Sequence, residues 1–226
     1  MNKLAILVSA LTICVAAPAV AADFMEPVVV TDSASYDWSG FYIGLNAGVG
    51  LLSHTTTEYE GNIWDYGDFS ASGFGASVGA TIGANAQFGA GVVGVEADIN
   101  WSGLSTSSSW DGGDIENNVD WNWYGTLRAR AGLAVDQALI YATAGAAFVD
   151  TSYYYGYVDD FASFDGIQVG LTAGVGAEYA LSDNMSVKAE YLYIGLPTET
   201  VLDDSDTPID FTSSAHVVRA GLNWSF

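Results

Sequence analysis

Apolar side chains alternate with small or polar ones at a period of two, in segments of about a dozen residues repeated eight times between Phe41 and Phe226. Successive side chains of a β-strand point to opposite faces, so this period leaves the chain little choice but strands. From Phe41, one face carries Phe41, Ile43, Leu45, Ala47, Val49 and Leu51, and the other Tyr42, Gly44, Asn46, Gly48 and Gly50. The division recurs from Phe74 (Ala76, Val78, Ala80, Ile82), from Val93 (Val95, Ala97, Ile99, Trp101) and from Trp123 (Leu127, Ala129, Ala131, Leu133). Four more segments follow, near 140–148, 168–179, 187–193 and 218–226.

Half of the residues are hydrophobic while the formal charge is −22, and the two properties must occupy different places. A helical membrane bundle would show apolar runs of about 20 residues. Beyond residue 22 there is none, and short alternating segments separated by Asp, Ser, Thr and Asn are the mark of a transmembrane barrel. Lipid offers no partner to an open sheet edge, so an even set of eight strands is expected to close. The connections predict its orientation. Short turns near Asn85 to Gln87, at Asp136-Gln137 and at Ser182 to Asn184 alternate with longer polar stretches at 53–69, 102–120, 150–165 and 197–211. The expected fold is therefore all-β: an eight-stranded antiparallel up-and-down transmembrane β-barrel with short periplasmic turns, four long extracellular loops and both termini periplasmic.

The N-terminus agrees with export. Lys3, the apolar run Leu4 to Ala17 and the small residues Ala19-Val20-Ala21 have the three parts of a secretory signal, giving a leader over 1–22. Residues 23–36 then read as a periplasmic lead-in and 37–226 as the barrel. The single cysteine, Cys14, falls in the leader, and Ile13 before it does not suit a lipid-anchor motif, so no thiol chemistry is expected of the mature chain.

Of the five basic residues, Lys3 lies in the leader. The other four, Arg128, Arg130, Lys188 and Arg219, fall on inward positions, as do the carboxylates Glu96, Asp98, Glu178 and Glu190. Four cations against four anions predict an ionic network filling the lumen. An eight-stranded barrel is just wide enough for its own side chains, so at most a narrow pore is expected. The remaining carboxylates fall mainly in the polar stretches, where they solvate the chain next to outer-membrane lipid and lipopolysaccharide. Such acidity argues against a nucleic-acid partner. Trp38, Phe41, Trp101, Trp121, Trp123, Tyr191, Tyr193, Trp224 and Phe226 fall near predicted membrane boundaries and suggest aromatic girdles.

No cofactor, metal or catalytic set stands out, and no enzymatic activity is expected. Asp210, Ser213 and His216 are close in sequence, but the period sends Ser213 and His216 to opposite faces. Haem iron would need an axial His or Tyr, for which the candidates are His54, read as a solvated residue at the base of the first loop, His216, and Tyr153 to Tyr155.

The last eight residues, Arg219-Ala-Gly-Leu-Asn-Trp-Ser-Phe226, resemble the C-terminal signal read by the barrel assembly machinery, with Arg219, Gly221, Trp224 and Phe226 at its positions. Asp37-Trp-Ser-Gly-Phe-Tyr-Ile-Gly-Leu-Asn-Ala-Gly48 resembles the opening strand of the small "porin family" surface barrels of alphaproteobacteria. Gly94 to Ile99, Leu127 to Gly132 with Leu139 to Thr143, and Leu181 to Tyr193 are similar to that family's third strand, central hairpin and seventh strand. The resemblance implies an outer-membrane barrel related to surface antigens and haemin-binding proteins. The leading expectation is a structural, surface-exposed barrel with a filled ionic lumen; the alternatives are a surface haemin-binding protein and a small-solute porin.

Overall fold

A computed structural model describes residues 36–58, 69–110, 115–157, 160–202 and 208–226. The predicted leader and all of the lead-in except Tyr36 lie outside them. The described chain is built of antiparallel strands: β1 (Gly40–Glu58), β2 (Phe69–Phe88), β3 (Gly91–Trp110), β4 (Ile115–Val135), β5 (Ala138–Tyr157), β6 (Asp160–Ser182), β7 (Met185–Gly195), β8 (Glu199–Leu202) and β9 (Pro208–Ser225). Each pairs with its neighbour in sequence order, and β9 also pairs with β1 from Tyr42↔Ser225 to Glu58↔Ile209. The sheet thus returns on itself as a ring. β8 is a four-residue continuation of β7 across Leu196-Pro197-Thr198, where Pro197 supplies no N–H for a ladder. Eight strand paths make the ring, in agreement with the count of alternating segments.

One end of the ring carries two-residue turns, Gly89-Ala90, Asp136-Gln137 and Asp183-Asn184, beside Tyr36 and Phe226. The first lies beyond the predicted Asn85 to Gln87, which continue β2 and pair with Val92 to Gly94. Gly89 takes the left-handed φ of 60° that the turn demands, and Asp136 takes 53°.

The opposite, far end departs from expectation more widely. The stretches predicted as long polar loops are in large part paired strand: Leu104 to Trp110 with Ile115 to Trp121, and Ile115 to Trp121 with Thr151 to Tyr157. The outward apolar face ends at Leu51 on β1, at Phe148 on β5 and at Val218 on β9, beyond which Ser53, Thr55, Asp150, Ser152, Ser214 and Thr212 take outward positions. Below this limit β1 offers lipid 11 residues, Phe41 to Leu51. At roughly 2.5 Å of height per tilted residue they match a band about 25 Å tall. The seven to nine residues left on β1, β4 and β5 carry the ring about 20 Å past the band.

Alternation continues in that projection with its sign reversed. Leu52, Leu104, Val119, Trp121, Val149, Tyr153, Ile194, Ile209 and Phe211 now point inward and form one buried cluster. The molecule is a membrane barrel for half its height and, above that, a barrel with a soluble protein's hydrophobic core.

Candidate functional site

The lumen is filled in three layers, set by what each strand turns inward at each height. At the turn end Trp38, Val92, Ala134, Leu139, Tyr141 and Ala180 pack together with Tyr36 against them. Trp38 was expected in an outer girdle but is 6% exposed, because its segment folds under the ring, its backbone N–H donating to Gln87 Oε1 at 2.8 Å.

The middle layer holds all eight predicted charges, each buried. Arg128 on β4 is its hub: Nη1 donates to Glu190 at 2.9 Å, Nη2 to Asp98 at 2.9 Å, and the same nitrogen contacts Glu96. Arg219 on β9 approaches from the other wall, with Nη2 2.9 Å from Asp98 and 2.6 Å from Glu190. Lys188 donates to Glu96 at 2.9 Å and Arg130 to Glu178 at 2.9 Å. Neutral donors satisfy much of the remaining carboxylate capacity: Tyr42 to Glu96 at 2.7 Å, Thr126 and Asn100 to Asp98, and Ser186 and Asn223 to Glu178. The Arg130 guanidinium also lies over the Tyr141 ring, 4.0 Å from its centroid.

Burying eight charges costs several kcal/mol each unless every one is paired, so equal numbers and shared partners are what make the layer tolerable. Glycines make room for it. A Cβ on Gly83 would run into the Tyr42 ring, and one on Gly176 into the Tyr141 ring.

The third layer is the apolar cluster of the projection. Trp121, also expected in a girdle, belongs to it at 1% exposed. In the ladder to β5, Trp121 and Trp123 pair with the consecutive residues Thr151 and Asp150, so Asn122 is the extra residue of a β-bulge, and parity on β4 above it is reversed. Trp101, Trp224 and Phe226 do face outward.

His54 is also in this layer, 1% exposed, and not solvated as its position suggested. Its Nδ1 lies 2.8 Å from Ser213 Oγ and its Nε2 2.8 Å from Thr56 Oγ1, with Tyr153 and Phe211 packed beside the ring. Burial above the lipid band lowers its pKa to about 4, so the imidazole is neutral. His216 points the other way, exposed, its Nδ1 2.6 Å from Tyr191 OH and its ring beside Tyr193. Asp210, Ser213 and His216 do not converge. No polarity pattern in the sequence marks the His54–Ser213 contact, which joins β1 to β9 across 159 residues.

Residues 6–226 match the family model described as the outer membrane protein beta-barrel domain. The chain is 33% identical over 227 residues to a 31 kDa outer-membrane immunogenic protein of Brucella melitensis, covering 93% of this chain and 95% of that one. It is 34% identical over 232 residues to a 25 kDa outer-membrane immunogenic protein of the same species, covering 99% and 98%. Among solved structures, the outer membrane protein OprG from Pseudomonas aeruginosa superposes with a TM-score of 0.50 at 13% identity, covering 85% of this chain and 98% of that one. That last likeness speaks for the fold alone.

Proposed function

The chain belongs to the outer membrane protein beta-barrel domain family, and on that premise we propose that it is a closed structural barrel of the outer membrane that displays its far end outside the cell. Outer-membrane immunogenic proteins are among its relatives. The observation carrying the proposal is the filled lumen, in which a buried ionic layer lies between two clusters of buried apolar side chains. The turn end is then periplasmic and the 20 Å projection extracellular, as short turns and long strands at opposite ends favour. On this reading the protein catalyses no reaction. Arg219 and Gly221 of the assembly-signal pattern turn inward on β9 while Trp224 and Phe226 turn outward, leaving the two aromatics within reach of the insertion machinery.

Liposomes containing the refolded mature protein test this reading through solute uptake. They should swell in small sugars no faster than protein-free liposomes, and size-dependent swelling would favour the porin alternative. Surface haemin binding is supported by one observation, that His216 is exposed where His54 is buried. A haemin titration with His216→Ala as comparison tests it: a Soret shift that persists in the variant would exclude His216 as ligand.

A further inference from the structure

Outward charge is spread unevenly around the projection. Where the apolar face stops, β4, β5 and β6 turn Asp120, Asp150 and Asp165 outward. On β1 and β9 the corresponding positions carry hydroxyls, Ser53, Thr55, Ser214 and Thr212, with His216 directly below them. Every Lys and Arg of the described residues is inside the lumen and His54 is buried, so among those residues His216 is the one base that faces outward.

His216 pairs with Tyr193 on β7 and with Leu51 on β1, the last apolar outward residue of that strand. It therefore stands at the edge of the lipid band, the level at which Tyr rings meet lipid headgroups. Its Nδ1 lies 2.6 Å from the Tyr191 hydroxyl, whereas its Nε2 has no partner among the described residues. Tyr193 leans away from the band: a Cβ on Gly195 would lie 3.2 Å from its hydroxyl, and Gly195 pairs with Ser214, which pairs with Ser53. The Tyr193, Ser214 and Ser53 hydroxyls thus share one row, about 7 Å above the row of His216, and none of the three has a hydrogen-bond partner among the described residues.

The patch offers O–H and N–H donors, and an imidazole can add positive charge. Asp210, the outward carboxylate of β9, stands four residues beyond Ser214, about 13 Å away, and charges that far apart are largely screened. A phosphate group suits such donors. The wall below suits an acyl chain. Ala177, Ala189, Ala220 and Ala47 form one row across β6, β7, β9 and β1, with larger side chains such as Val218 above and Leu222 below. A groove of about 940 Å³ opens on this lipid face over Ala47, Ala220, Val187 and Leu222. Ala220 is four residues from His216 along β9, again about 13 Å.

We propose that His216, Tyr193, Ser214 and Ser53 bind the phosphate of an anionic membrane lipid whose acyl chain lies in the groove beneath them. The site is on the outer wall and does not depend on the lumen being closed, so it and the closed-barrel reading fail separately.

The chain has two histidines, one in the site and one buried in the core, and the second serves as an internal control. The test takes the refolded barrel, isotope-labelled at histidine, in maltoside micelles, which carry no phosphate. It is titrated with dihexanoyl phosphatidic acid, with the phosphatidylcholine of the same chains, and with inorganic phosphate. Phosphatidic acid should shift the ring nitrogens of His216 and leave those of His54 in place. It should bind about tenfold or more tightly than inorganic phosphate, because the chains are held as well. By phosphorus line broadening, His216→Gln should weaken it about tenfold and Tyr193→Phe several-fold. Phosphatidylcholine binding equally well, affinity unchanged in His216→Gln, or no shift at His216 overturns the proposal. Inorganic phosphate binding as tightly as the lipid overturns its lipid part, since the groove then holds nothing.

Discussion

Replacing Arg128 by methionine keeps most of the side-chain volume and removes one of four lumenal cations. Glu96, Asp98 and Glu190 each lose a contact. Each also keeps others: Glu96 with Lys188 and Tyr42, Asp98 with Arg219 and Thr126, and Glu190 with Arg219 and Tyr141. Removing one member of a buried ionic set leaves an uncompensated charge, and with these partial replacements the cost should be about 3 kcal/mol, the low end for such breaks. Glu190→Gln alone, which strips charge from Arg128 and Arg219 but leaves an amide oxygen to accept, should cost roughly 2 kcal/mol. The double variant restores neutrality, three against three. It should therefore cost about 3 kcal/mol rather than the roughly 5 of independent losses, a coupling of about 2 kcal/mol. Urea unfolding in lipid vesicles, followed by tryptophan fluorescence, measures all three. Losses that simply add, or an Arg128→Met variant within about 0.5 kcal/mol of the parent, would refute a mutually neutralising network.

Phe211→Ala empties a ring position in the far-end core and should cost about 3–5 kcal/mol while the lipid-facing band stays intact; protease sensitivity confined to the projection would show it. Gly83→Val forces Tyr42 off Glu96 and should destabilise by about 1–3 kcal/mol, with Gly83→Ala milder, in the same urea assay. His54 is neutral in the fold and titrates at its ordinary pKa of 6.5 when unfolded, so the unfolded chain takes up the proton first. Stability should be level above pH 6.5, fall as pH drops from 6.5 to about 4, and level off below, losing about 3 kcal/mol from this group. His54→Gln should remove that slope.

The barrel was legible because lipid imposes one rule on every strand within the band: outward positions from Phe41 to Leu51 are apolar or small, and any charge must turn inward. Arg128, Arg130, Lys188 and Arg219 were found by that rule alone. It ends at the band edge, where water takes the place of lipid and the same alternation means the opposite. Ser105, Ser107, Asp120, Ser152 and Thr212 look like loop residues, yet they are the wetted faces of strands whose Leu104, Thr106, Val119, Thr151 and Phe211 point inward. A single bulged residue, Asn122, then reversed the assignment of Trp121, since a period-two argument inherits every insertion in the strand. His54 escaped for another reason: its partner Ser213 becomes a neighbour only when β9 pairs with β1.

Single-channel recording across planar bilayers is the most direct trial of the closed lumen. With the refolded barrel, the two buried apolar clusters and the ionic layer between them predict a baseline without discrete steps at moderate voltage. Reproducible steps that change in size or ion selectivity in Arg128→Met would mean that these side chains line a water path, and would contradict the account.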